Sequence, residues 1–108
     1  MEIKKGTISH LQDYMAFKIK ERGFEDETLH ERLVLLTEEV GELAKACRKL
    51  SGMHEEKYKE NSYMAGEEVT DVMNMVFAVA IKLGLDIEKE FTEKELKNDK
   101  RIYEKKNK

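Results

Sequence analysis

From Leu29 to Leu50 the apolar residues recur at alternating steps of four and three: Leu29, Leu33, Leu36, Val40, Leu43, Cys47 and Leu50. An α-helix turns that spacing into one continuous stripe, so the stretch predicts a helix with one face against a core. Set into the stripe is Thr37-Glu38-Glu39-Val40-Gly41-Glu42. Glu39 and Glu42 are three apart and Glu38 and Glu42 four apart, so their side chains converge on neighbouring ground. Like charges at those spacings oppose helix formation by roughly 0.2–0.5 kcal/mol per pair. A divalent cation is the simplest group that offsets the repulsion.

A second acidic pair lies downstream. Glu67-Glu68-Val69-Thr70-Asp71 precedes the most apolar part of the chain, Val72 to Leu83, and Glu68 and Asp71 are again three apart. Two such helices side by side bring Glu39, Glu42, Glu68 and Asp71 together as an all-oxygen cage, which suits Mg²⁺ or Mn²⁺. Without a cation, clustered carboxylates do not all ionise cheaply, and some of their pKa values rise.

After Asp71 the pattern is apolar nearly all round, with Val72, Met73, Met75, Val76, Phe77, Val79, Ala80 and Ile81. A helix apolar on every face must be covered on every face. Three further helices of a short chain cannot do that, which predicts a subunit interface.

The remaining punctuation is helical too. Thr7 or Ser9 is expected to cap a first helix carrying Ile8, Leu11, Met15 and Ile19, which stops near Gly23. Tyr14 and Phe17 fall off its main stripe and read as core or interface aromatics. Asp26 or Thr28 caps the second helix, which ends at Ser51-Gly52. Residues 53–62 are polar and fit either a loop or a helical start. The third helix is expected from Ser62 or Tyr63 to Leu83, with Gly84 as its stop. Asp86 caps a fourth from Ile87 to about Tyr103, before a frayed tail. With no strand pattern, repeat or linker, the expectation is an all-α, four-helix bundle spanning residues 1–108 as a single domain.

Composition agrees and narrows the function classes. The 108 residues include no Pro, 40% are charged, and the net charge is −3. That suits a soluble, helix-rich protein and argues against non-specific nucleic-acid binding. No apolar stretch approaches the ~20 residues that span a membrane. Met1-Glu2-Ile3-Lys4-Lys5 leads into no signal-peptide core. The one cysteine, Cys47, falls on the apolar stripe and is expected to be a buried small hydrophobe in a reducing compartment. The chain therefore reads as cytoplasmic.

The acidic residues also carry a family resemblance. Glu38-Glu39-x-x-Glu42, followed beyond residues 43–67 by Glu68-x-x-Asp71, resembles the EExxE…ExxD signature of the MazG-like, all-α nucleoside triphosphate pyrophosphohydrolases. Leu36 to Ala44 is similar to the consensus of that family's second helix. Gly84 and Asp86 match the turn after its third helix, and Lys94-x-x-x-Asn98-x-x-Arg101 resembles the KxxxNxxR pattern of its last. The similarity covers about residues 7–103.

The resemblance implies a Mg²⁺-dependent hydrolase that cuts a nucleoside triphosphate between the α- and β-phosphates, giving a monophosphate and pyrophosphate. It implies a homo-oligomer, a dimer or a dimer of dimers. Glu39, Glu42, Glu68 and Asp71 match its metal ligands. Glu38 matches an acidic residue that holds a further ion or orients the attacking water. Lys94 and Arg101, seven apart on one helical face, would hold the phosphates, with Asn98 between them as a donor.

Plainer roles compete for the same residues. Clustered Glu residues are commonly a solvated face, and Lys94, Asn98 and Arg101 lie among other charges. Asn74 shares the acidic face and either bonds within the bundle or touches the ligand. Lys45 and Arg48 are within reach of Glu42 or the phosphates, although ordinary helix-surface pairing is the favoured expectation. His10, His30 and His54 show no metal-ligand spacing. Two alternatives of other kinds stand beside the pyrophosphohydrolase: phosphoribosyl-ATP pyrophosphatase of histidine biosynthesis, and a non-catalytic helical interaction module.

Overall fold

The computed structural model describes the backbone of residues 1–51 and 59–101, and side chains of residues 1–51 and 64–101. Within them the chain is all-helical: α1 (Thr7–Glu21), α2 (Leu29–Leu50), α3 (Lys59–Leu83) and α4 (Ile87–Asp99). No strand occurs among the described residues.

Local chemistry fixes most of the helix ends. Gly23 adopts φ 80° and Gly84 φ 71°. Each closes its helix with a pair of bonds: Gly23 N–H to Lys20 O with Phe24 N–H to Ile19 O, and Gly84 N–H to Ile81 O with Leu85 N–H to Ala80 O. A left-handed residue after the last turn makes that pairing, and glycine takes the conformation without strain. Thr28, rather than Asp26, caps α2. Its hydroxyl accepts from Glu31 N–H at 3.1 Å, while the Glu31 carboxylate accepts from Thr28 N–H at 2.9 Å. Asp86 caps α4 through Lys89 N–H.

The start of α1 departs from expectation. Thr7 and Ser9 lie inside the helix, and the capping position is Gly6, which has no side chain to offer. The Glu88 carboxylate substitutes for a local cap. It accepts from Gly6 N–H with both oxygens at 3.0 Å and from Ser9 N–H at 3.1 Å. Gln12 strengthens the same junction, donating to Leu85 O at 2.7 Å and accepting from Ile87 N–H at 3.0 Å. The first turn of α4 is thereby held against α1.

Two other boundaries shift. α3 begins at Lys59, so the last part of the polar segment is helical, while residues 52–58 lie outside the described residues. α4 ends at Asp99, where Lys100 and Arg101 bond back to Lys97 O and Asn98 O in tighter three-residue turns. Ile102 and Tyr103 lie outside the described residues.

The main contact is between α2 and α3, with α1 laid on α3 and α4 on α1. The pair is antiparallel: Arg32, early in α2, donates to Ala78 O late in α3, and Glu39 faces Asp71 further along. Met15, Ile19, Ala46, Phe77, Ala78 and Ala80 are the buried apolar residues among those described.

The face that α2 turns to α3 is offset from its apolar stripe by one residue. Arg32 and Ala46 are buried and Glu39 half-buried, whereas Leu33, Val40 and Cys47 are exposed. One step turns a helix by about 100°, so the 33–40–47 line points away from the core. Cys47 is thus not the buried hydrophobe expected of it; its neighbour Ala46 takes that place. On α3 a second line, Val69, Met73, Val76 and Leu83, is also uncovered. Tyr14 and Phe17 are exposed as well, with the Lys18 ammonium 5.7 Å from each ring, so neither belongs to this core.

Arg32 is 2% exposed. Besides Ala78 O at 2.8 Å it donates to Phe24 O at 3.2 Å, and its Nε lies 3.4 Å from the Glu27 carboxylate. One guanidinium therefore ties the α1–α2 connection to the end of α3.

Candidate metal centre and flanking recesses

The antiparallel pairing of α2 and α3 carries the two acidic motifs to the same level. Glu39 from α2 and Glu68 and Asp71 from α3 each offer a carboxylate oxygen, and these atoms all lie within 4.8 Å of one another. Glu39 and Glu68 are half-buried and Asp71 is exposed. Among the described residues none of the three forms an ion pair. Burial pushes the Glu39 carboxyl above its ordinary value, and the negative charges of Asp71, Glu68, Glu42 and Glu38 push the same way. Burial also raises Glu68, followed by the charges of Asp71, Glu42 and Glu67. Hard oxygen donors crowded on two helices are of the kind that Mg²⁺ or Mn²⁺ takes.

Glu42 stands at the edge of this group, with its charge felt by both Glu39 and Glu68. Glu38 is exposed and acts on Glu39 in the same way.

Two recesses open from the cluster, on opposite sides along the helix pair. The larger is a cleft of about 430 Å³ between α1, α2 and α3, with Glu39 and Asp71 at one end and Arg22, Phe24 and Glu27 among its other lining residues. Its walls are mainly apolar (Met15, Ile19, Leu35, Met75, Ala78), and Asn74 contributes the one uncharged polar side chain. The smaller, about 40 Å³, lies beyond Glu42 and Glu68 and is lined also by Lys45, Lys49, Ala46 and Met64.

Compared with known proteins, the chain matches no family model and no curated protein.

The residues read from the sequence thus fall into two groups. Glu39, Glu68 and Asp71 meet, with Glu42 and Glu38 beside them and Asn74 in the adjoining cleft. Lys94, Asn98 and Arg101 line neither recess, because α4 packs on α1. The Asn98 amide donates to Glu95 of its own helix at 2.7 Å. The sequence also left several neighbours of the site unmarked. Arg22, Glu27 and Phe24 belong to the connection before α2, where no periodicity points to them. Lys49 was legible in principle, seven residues after Glu42 and so on the same helical face.

Proposed function

We propose that the protein is a divalent-metal-dependent hydrolase that cleaves a nucleoside triphosphate between its α- and β-phosphates. The observation that carries this is the convergence of Glu39, Glu68 and Asp71 within 4.8 Å at the end of a largely apolar cleft. These are the positions that the EExxE…ExxD resemblance marks as metal ligands.

A bound Mg²⁺ would neutralise phosphate charge and lower the pKa of a coordinated water. The chain's own contribution is arrangement. Glu39, Glu42, Glu68 and Asp71 repel a polyphosphate unless a cation intervenes, so they select the metal-bound form of the substrate. Glu38, exposed next to Glu39 on α2, would accept a proton from the attacking water or orient it. The cleft walls exclude solvent from the nucleoside, and the Asn74 amide supplies both donors and an acceptor there. Water adds at the α-phosphorus, the bridging oxygen leaves with the β-phosphate, and the products are a nucleoside monophosphate and pyrophosphate.

The protein is proposed to work as a homodimer or a dimer of dimers. Leu33 and Val40 on α2, and Val69, Met73, Val76 and Leu83 on α3, leave two apolar lines uncovered in one chain. The radius of gyration is 17.4 Å, against about 13 Å for a compact domain of this length.

A pyrophosphate-release assay over a panel of ribo- and deoxynucleoside triphosphates, with Mg²⁺ titrated, tests the reaction. Metal-dependent release from one or more of them is expected. Release from phosphoribosyl-ATP alone would move the assignment to histidine biosynthesis. No release from any substrate at any metal concentration would refute it.

A further inference from the structure

The two recesses flank the acidic cluster on opposite sides. Along α2 the order is Leu35 and Glu39 at the cleft, then Glu42, then Lys45 and Lys49 around the small recess. At 1.5 Å per residue, Lys45 is about 4.5 Å and Lys49 about 10 Å beyond Glu42 along the axis. Along α3 the same order runs backwards, with Asp71 and Asn74 at the cleft and Glu68 and Met64 at the small recess.

We propose that Lys45 and Lys49 form the subsite for the leaving pyrophosphate. This rests on the hydrolase assignment. A triphosphate cut between its α- and β-phosphates has its α-phosphate at the acidic cluster, so its two ends point to opposite sides. The mainly apolar cleft suits the nucleoside. The β- and γ-phosphates then lie over the small recess, where two ammonium groups face them. Lys45 is exposed and Lys49 half-buried. Among the described residues neither forms an ion pair, although Glu42 and Glu68 line the same recess. Ordinary helix-surface pairing would have closed those contacts, so both charges are uncommitted. A lysine ammonium, with three donors on a flexible stem, suits a mobile diphosphate that must later depart. Lys94 and Arg101 line neither recess within the same chain.

The test is calorimetric binding of magnesium pyrophosphate to the full chain and to Lys45→Gln, Lys49→Gln and Lys94→Gln variants. Loss of a charge-assisted hydrogen bond predicts about tenfold weaker binding for the first two, and less than about twofold change for Lys94→Gln. Binding of the nucleoside monophosphate should be unchanged in all three. The subsite is refuted if the parent does not bind magnesium pyrophosphate. It is also refuted if both Lys45→Gln and Lys49→Gln weaken binding by less than about fivefold, or if Lys94→Gln weakens it as much as they do. Lysine-dependent pyrophosphate binding without cleavage of any triphosphate would refute the hydrolase, and with it the leaving-group role, and would leave Lys45 and Lys49 as a pyrophosphate-binding site only. Cleavage with pyrophosphate binding indifferent to both lysines would refute the subsite alone.

Discussion

Glu88 and Gly6, 82 residues apart, are joined through both oxygens of the carboxylate, each 3.0 Å from the Gly6 amide nitrogen. Hydrogen bonds from the Gly6 and Ser9 backbone hold the Glu88 carboxyl below its ordinary value of 4.5. A carboxyl depressed by folding contributes stability above its unfolded pKa and loses it as pH falls through the folded value. The parent's melting temperature should therefore drop on acidification below 4.5. Glu88→Gln should melt lower at neutral pH and show a shallower acid decline. Parallel melting curves against pH for the two proteins would contradict the cap.

The acidic cluster makes a paired prediction. Glu39→Gln, Glu42→Gln, Glu68→Gln and Asp71→Asn should each abolish or nearly abolish the proposed hydrolysis, because each would weaken the proposed cation site while keeping its shape. In EDTA the same variants should melt at or above the parent's temperature. Burial and like charge raise Glu39 and Glu68 in the folded chain, so their ionisation opposes folding as pH climbs above 4.5. Glu38→Gln should lose rate while retaining metal affinity. Four cluster variants with parental activity would disprove the assignment.

Arg32 should matter to stability more than any other charged side chain described. Arg32→Ala removes donors to Ala78 O and Phe24 O and leaves Glu27 without its cation. The expected cost is about 3 kcal/mol in urea unfolding. A loss below about 1 kcal/mol would mean that water replaces the guanidinium at little cost.

Assembly can be separated from folding by the choice of residue. Met73→Glu and Val40→Glu alter exposed positions and should yield smaller species with helical content intact. Phe77→Glu buries an unpaired charge within one chain and should unfold it instead. Light scattering with circular dichroism distinguishes these. A parent that is monomeric at micromolar concentration would rule out the interface.

What the sequence disclosed was governed by range. Gly23, Gly84, Thr28 and Asp86 act on backbone within a few residues, and each ends or starts its helix as the local pattern predicts. The α1 cap was illegible because its carboxylate comes from α4. Cys47 is more apolar than Ala46, so periodicity favoured it, but α2 turns the smaller side chain toward α3. Arg32 reads as a surface cation, and only the carbonyls it meets across the fold explain its burial. The acidic pairs were visible as spacing, whereas their convergence needed the antiparallel register of α2 and α3. Lys94, Asn98 and Arg101 form a helical face in sequence, yet the junction made by Gln12 and Glu88 directs α4 onto α1.

Ala46 and Ala78, 3% exposed each, flank the acidic level on its two sides along the α2–α3 seam. Single methyl groups leave little side chain between the two helices there, and the helix spacing bears on the gap between Glu39 and the α3 carboxylates. If the cluster holds an ion as proposed, the side chains that space its two helices carry no charge. A larger residue at either alanine would act as a shim, widening the jaws and favouring Ca²⁺, with its longer bonds, over Mg²⁺. On the proposed reading, metal preference would follow the thickness of this seam as well as the chemistry of its acids.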